Sequence, residues 1–468
     1  MSGAEEFRDF RRIADAVAAD IARGRLRPGD RLPPQRLFAR RRRIAPSTAS
    51  RVYGELVRRG LVVGEVGRGT FVRAVPEPTG RALTESPVLP TGVNLELNYP
   101  SAPGQSELLS ASLAPLLRPD VFAEATQTAA AAGTPAARAA ASALLACGSW
   151  RPAAERVLFT GTARQAIAGA LAALVPPGGR VGVEALTYPV VREIAARLQL
   201  TLVPLTSDAH GVRPEAVAAA HRGAPLSALY VQPTLHNPTC VTMPEARRRD
   251  LAATVRELGL PVVEDRIWSF LYPGTADAAR TVPDPFAAFA PEWTYVVDGL
   301  SKRIAPGLSV GLLVTPGPED EQVAAALRSG GWTAGRFALE AATRWLTDGT
   351  ADRLARGKRA DAAARHALVT ACLTGHDVHT DPYAYFAWWR LPAPWRGETF
   401  TAAAAAQGIA VTPGSTFAAG ATTAPDAVRI GLASPPYDVL ETALRRLVAI
   451  AETGPGLRPP SGPAPCFT

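Results

Sequence analysis

Seven short apolar runs, set between alanine-rich helical stretches, constrain the fold of this chain more than any other feature. They fall at residues 157–160, 180–183, 200–204, 228–231, 261–264, 295–297 and 311–314. A strand that is apolar without alternation is buried on both faces, and strands that alternate with helices build a largely parallel sheet with helices on both sides. Residues 93–453 therefore read as an α/β unit, with a large part over about 93–330 and a smaller α+β part over about 331–453. A chain of 468 residues is too long for one core, so a further unit is expected.

The first 75 residues supply it. Phe10, Ile13, Ala14, Val17, Ala18 and Ile21 recur at helical spacing, which predicts a helix over 6–24. Arg27-Pro28-Gly29-Asp30 is a turn, and a second helix opens at Pro33-Pro34, because proline is tolerated in a first turn. A third helix starts at Ala45-Pro46 and ends at Gly60, with Ala49, Val52, Tyr53, Leu56 and Val57 forming one buried stripe. Two short apolar runs, 61–63 and 70–72, flank Gly67-Arg68-Gly69 and read as a β-hairpin. Three helices and a hairpin make a winged helix-turn-helix over 1–75. Residues 76–92, rich in Pro, Thr and Gly, read as a linker, and 454–468 read as a disordered tail.

Charge separates the two units. Residues 1–75 hold 17 arginines, no lysine and 8 acids, a balance of +9, while the rest of the chain balances at −1. A concentrated positive field on a small folded unit suits a phosphate backbone, where counterion release drives affinity. Other classes are excluded. No stretch approaches 18 apolar residues, and the charged start MSGAEEFRDFRR has no apolar signal region. Cys147, Cys240, Cys372 and Cys466 lie far apart, without the spacing of a metal site or a disulfide framework. None of the six histidines forms a metal pattern, so no metal is expected. A cytoplasmic protein with no membrane partner is the expectation.

Lysine is nearly eliminated from this chain. Only Lys302 and Lys358 stand against 48 arginines. An amine that must condense with an aldehyde has to be lysine, since the arginine guanidinium stays protonated and delocalised. Lys302 follows a predicted strand in Asp298-Gly299-Leu300-Ser301-Lys302-Arg303. Lys358 lies in the charged run Arg353-Leu354-Ala355-Arg356-Gly357-Lys358-Arg359 and reads as a surface residue.

Two resemblances follow from these segments. The head, from Arg31-Leu32-Pro33-Pro34-Gln35-Arg36 through Ala45-Pro46-Ser47-Thr48-Ala49-Ser50-Arg51-Val52-Tyr53 to Gly67-Arg68-Gly69-Thr70-Phe71-Val72, resembles the GntR family of winged-helix repressors. The resemblance implies that Pro46, Ser47, Thr48 and Arg51 face the major groove, that Arg36 meets phosphate or a guanine, and that Arg68, beside Gly69 at the wing tip, reaches the minor groove. Ser47 and Thr48 read equally as helix-starting residues. The run Arg40-Arg41-Arg42-Arg43 departs from the family, which tends to place Leu and Gly at the last two positions; Arg43 must then accept a turn that glycine makes easily.

The body around Lys302 is similar to fold-type I aminotransferases, in particular the MocR subfamily of GntR regulators, over nearly all of 93–450. That implies pyridoxal 5′-phosphate bound through Lys302. By the same resemblance, the turn before Ala163 and Arg164 cradles the phosphate, Tyr188 stacks on the ring, Asn237 meets the ring oxygen and Asp265 pairs with the pyridinium nitrogen. Arg429 clamps a substrate carboxylate. Departures weaken the phosphate site: Gly299 stands where the family has Ser, and Ser309 where it has Arg. Ile267 or Trp268 replaces a tyrosine, and the tyrosine usually offered by a partner subunit is absent near Ala129. Arg303, beside Lys302, is expected to substitute for the lost phosphate contacts. The whole implies a homodimeric transcription regulator that binds an operator and senses a small amine, an amino acid or the cofactor itself. The alternatives are an active aminotransferase with an autoregulatory head, and a regulator that has lost the cofactor.

Overall fold

The computed structural model describes residues 3–22, 25–26, 30–59, 61–65, 69–72, 92–272, 283–317, 321–420 and 424–454. The expected linker 76–92, apart from Gly92, and the expected tail, apart from Gly454, lie outside these residues, as does the wing-tip residue Arg68.

The head contains the helices Gly3–Ala22, Gln35–Arg42 and Pro46–Arg58 and the antiparallel hairpin of Val62–Glu65 with Gly69–Val72. Phe10, Ala14, Val17 and Ile21 of the first helix meet Ala49, Val52, Tyr53 and Leu56 of the third in one core. The helical spacing of both stripes is what lets the two faces bury each other. Arg59 ties the unit further, donating to Glu55 at 2.7 Å and pairing with Asp15 at 2.5 Å. Arg43 ends the second helix at φ 52°, ψ 47°, a left-handed conformation that glycine adopts freely and a β-carbon opposes.

The body is built on a seven-stranded sheet. Its order across the sheet is Val157–Thr160, Gly311–Val314, Thr294–Gly299, Val262–Asp265, Ala228–Val231, Arg180–Glu184 and Thr201–Leu205. Each of the seven apolar runs is one of these strands, with ends moved by no more than two residues. Pairing is parallel throughout, except that Gly311–Val314 runs against both of its neighbours. Gly311–Val314, Val262–Asp265 and Ala228–Val231 are buried along their whole length, which is why their sequences do not alternate.

A second, four-stranded antiparallel sheet joins Asp377–His379, Phe386–Arg390, Ala427–Gly431 and Thr412–Pro413. Tyr385, Phe386, Trp388 and Trp389 are buried, as the smaller part's core requires, and none of them lines the cavity described below. The 23-residue helix Thr350–Cys372 contributes Leu354 to the core of the large sheet and Leu368 and Val369 to that of the small one. No described helix is long and apolar enough to cross a membrane.

Candidate functional site

Parallel strands deliver their C-terminal ends to one edge of a sheet, and loops leaving that edge converge there. Here they enclose a cavity of ≈ 430 Å³ lined by, among others, Ala163, Arg164, Tyr188, Asn237, Asp265, Lys302 and Arg429. Seven of the eight body residues singled out in the sequence thus meet in one place.

Lys302 sits in the short helix Leu300–Arg303 that follows the strand Thr294–Gly299. Its Nζ donates to the Asn98 carbonyl at 2.6 Å and lies 4.4 Å from the Tyr99 ring centre and 5.3 Å from that of Trp268. Burial, followed by the positive charges of Arg164, Arg429 and Lys358, lowers its pKa from 10.5 to about 7. Asp265 ends the strand Val262–Asp265 and is held by three donors: the Tyr230 hydroxyl at 2.7 Å, Gln232 Nε2 at 2.8 Å and the Ile267 amide at 3.0 Å. Burial pushes its carboxyl up, and those hydrogen bonds oppose the rise.

Thr162 caps the helix Ala163–Leu174, its hydroxyl accepting from the Gln165 amide, so the helix opens toward the cavity with free N–H groups and a partial positive charge. Arg164, in that first turn, donates from Nε to the Tyr188 hydroxyl at 3.0 Å. Ser309 lines the same wall, and its hydroxyl is buried without a hydrogen-bond partner. Gly299 has a physical reason: a β-carbon there would stand 3.1 Å from Ala163 Cβ and 3.5 Å from the Ala163 amide nitrogen. A side chain at that position is exchanged for close approach of the strand end to the helix opening. Arg429, on the strand Ala427–Gly431, donates to Asn237 Oδ1 at 3.2 Å and to Thr412 Oγ1 at 3.3 Å, while its Nε has no partner.

Two expectations fail here. Arg303 does not line the cavity: its guanidinium pairs with Asp298 at 3.6 Å and lies 5.0 Å from the Phe270 ring centre. Successive residues of a helix point about 100° apart, which turns Arg303 away from the cavity while Ser301, on the other side of Lys302, stays at its wall. Lys358 is not on the surface but fully buried. Sequence reasoning also missed the 96–99 segment. Glu96, Asn98 and Tyr99 reach the cavity because Val93–Asn94 pairs in parallel with Ile409–Ala410, a contact with no local sequence signal. Both Ile267 and Trp268 line the cavity, and it is Trp268 that approaches the Lys302 amine. Among the described residues no group of three or more His, Cys, Asp or Glu is placed to hold a metal ion.

On the head, Pro46, Ser47 and Arg51 are exposed on the third helix and Arg36 on the second. Thr48 departs from the expected groove-facing set: it is only 7% exposed, on the stripe it shares with Val52 and Glu55. The helix is capped by Ala45 with no side-chain hydrogen bond, so neither Ser47 nor Thr48 serves as its cap. Gly69 adopts φ +124°, and a β-carbon there would fall 2.6 Å from the Arg31 guanidinium.

Fold and cavity together define a two-part protein, a winged-helix head on an aminotransferase-like body. The chain belongs to the aminotransferase class I and II family, which matches residues 92–447, and its residues 10–72 match the bacterial regulatory proteins of the gntR family. That pairing is the one found in MocR regulators. The chain is similar to the uncharacterized HTH-type transcriptional regulator YdeF of Bacillus subtilis, 28% identical over 427 residues covering 91% of this chain and 90% of that one. It is also similar to the HTH-type pyridoxine biosynthesis transcriptional regulator PdxR of Corynebacterium glutamicum, 25% identical over 73% of each chain. Among solved structures, LysN, an α-aminoadipate aminotransferase of Thermus thermophilus, shares the fold at TM-score 0.67 and 23% identity, covering 77% of this chain and 92% of its own.

Proposed function

We propose that this chain is a DNA-binding transcriptional regulator whose body holds pyridoxal 5′-phosphate and senses a small amine, an amino acid or the cofactor itself. The observation that carries the reading is the Lys302 amine, held in a cavity with Asp265, Asn237 and Tyr188 and facing a helix N-terminus. The residues present fit that cofactor. The Ala163 amide, Arg164 and the unpartnered Ser309 hydroxyl offer donors for a phosphate, and Asp265 offers a carboxylate for a protonated ring nitrogen. Tyr188 would cover the ring face and Asn237 would reach its oxygen. When bound, the cofactor supplies an electrophilic aldehyde and an electron-withdrawing ring.

The chain's own residues then do the rest. Lys302, its pKa lowered to about 7, is unprotonated in roughly half of the molecules at neutral pH. Tyr99 and Trp268 flank it and limit water around it. Arg429 receives an incoming carboxylate, for which its Nε has hydrogen-bonding capacity to spare. An effector that binds one arrangement of the body better than another shifts the population of the two, and with it the operator affinity of the head. A second copy of the chain fits the exposed Leu117, Phe122 and Phe337, the last two with ring centres 6.1 Å apart.

The test is the visible spectrum of the purified protein before and after addition of pyridoxal 5′-phosphate. A band that forms in the wild type and is missing in Lys302→Ala supports the reading. A wild-type protein that stays colourless in excess cofactor refutes the cofactor-based part of it. Repeated turnover of amino acids with 2-oxoglutarate would instead favour an enzyme.

A further inference from the structure

The second lysine of the chain does something a surface lysine does not. Lys358 lies in the helix Thr350–Cys372, and its Nζ donates to three consecutive backbone carbonyls: Lys302 at 3.0 Å, Arg303 at 3.1 Å and Ile304 at 2.7 Å. These carbonyls close the short helix Leu300–Arg303 and belong to the set a helix end leaves unpaired. An ammonium has three donors and no acceptor, so these three bonds use its full capacity. In turn the Lys358 carbonyl accepts from the Tyr385 hydroxyl at 2.6 Å, which fixes the helix at that level.

The residue type is informative. Arginine outnumbers lysine 48 to two in this chain. A guanidinium spreads its donors over a wide plane and cannot set three of them on adjacent carbonyls from a single atom. The geometry at 358 needs an amine. The helix that carries it also joins two cores, with Leu354 in the larger and Leu368 and Val369 in the smaller. The same helix thus contacts both cores and the backbone of residue 302.

We propose that Lys358 is a positioning residue for Lys302: it fixes the backbone at 302–304 so that the 302 amine projects into the cavity, and it ties that amine to the helix shared by the two cores. The inference rests on Lys302 being the cofactor-binding amine. Burial, and then Arg303, lowers the Lys358 pKa to about 7. In the cavity the Lys302 amine shares its space with Arg164, Arg429, Asp265, Glu96, Tyr99 and Tyr188, while the Lys358 charge acts on it from behind the 302–304 backbone.

The test uses cofactor-free full-length protein pulsed with acetic anhydride over a pH series, with acetylation at position 302 read by mass spectrometry. Two lysines make the assignment simple. In Lys358→Met, loss of a nearby positive charge is expected to move the acetylation midpoint of Lys302 upward. Cofactor affinity, measured separately by equilibrium dialysis, is expected to fall on the order of tenfold. Lys358→Arg keeps the charge but not the single-atom geometry, so affinity stays low. Should the methionine variant fail to fold, Lys358→Gln, which retains two donors, carries the same measurement. An unchanged midpoint and affinity in a folded variant, or full recovery by arginine, would overturn the proposal. A wild type that never binds cofactor but shows the midpoint shift in the variant would remove the cofactor reading and leave the positioning of the 302 amine standing.

Discussion

The reactivity of Lys302 should follow a pH profile set by its surroundings. An exposed lysine with its ordinary pKa of 10.5 offers only ~1 unprotonated amine in 3000 at neutral pH, whereas a pKa of about 7 leaves roughly half of the side chains ready to attack an aldehyde. The rate of cofactor capture by stripped protein, followed by stopped-flow absorbance, should rise about tenfold from about pH 6 to about pH 8 and then level off. Arg164→Met removes the positive charge that ranks next after burial among the causes, so the midpoint should move upward. The sign for stability follows from the same shift. The unfolded chain holds more protons than the folded one between about pH 7 and 10.5, so this group's contribution to stability improves as pH rises through that window and is lost as pH falls toward 7. A capture rate still climbing near pH 10, or a midpoint unmoved by Arg164→Met, would refute the reasoning.

Three other outcomes are expected. Asp265→Asn keeps the bond from the Ile267 amide but sets an NH₂ group against Gln232 Nε2, and it removes the charge a pyridinium needs. Dialysis should show cofactor affinity lower by on the order of tenfold or more, for a charge-assisted bond worth roughly 1.5–3 kcal/mol. Arg43→Gly relieves a left-handed backbone at φ 52° and should stabilise the head by about 1 kcal/mol in denaturant unfolding. Arg51→Ala, at an exposed position of the third helix, should weaken operator binding; if it touches phosphate, the slope of log affinity against log salt falls by about 1, and if it reads a base, sequence preference relaxes instead.

Legibility differed from residue to residue for physical reasons. The seven strands could be read because a sheet covered on both faces draws mostly apolar residues into its strands, as in Ala228–Val231. Lys302 and Asp265 could be read because each closes or follows such a strand, and strand ends in this architecture point at ligands. Arg43 could be read because a turn position speaks through its own backbone. Arg303 could not, because adjacency in sequence does not become adjacency in space on a helix. Thr48 could not, because only the buried stripe of the folded helix decides which polar residue lies beneath it.

The sequence by itself determined the two units, the separation of their charge, the largely parallel sheet and the lysine that ends up in the cavity, since each is a matter of local pattern or residue chemistry. The tertiary structure alone decided how Glu96, Asn98 and Tyr99 arrive from one end of the body, and that Lys358 turns inward from a run of charges. Both depend on which carbonyls and faces long-range packing brings alongside, and nothing in a residue's immediate neighbours records that.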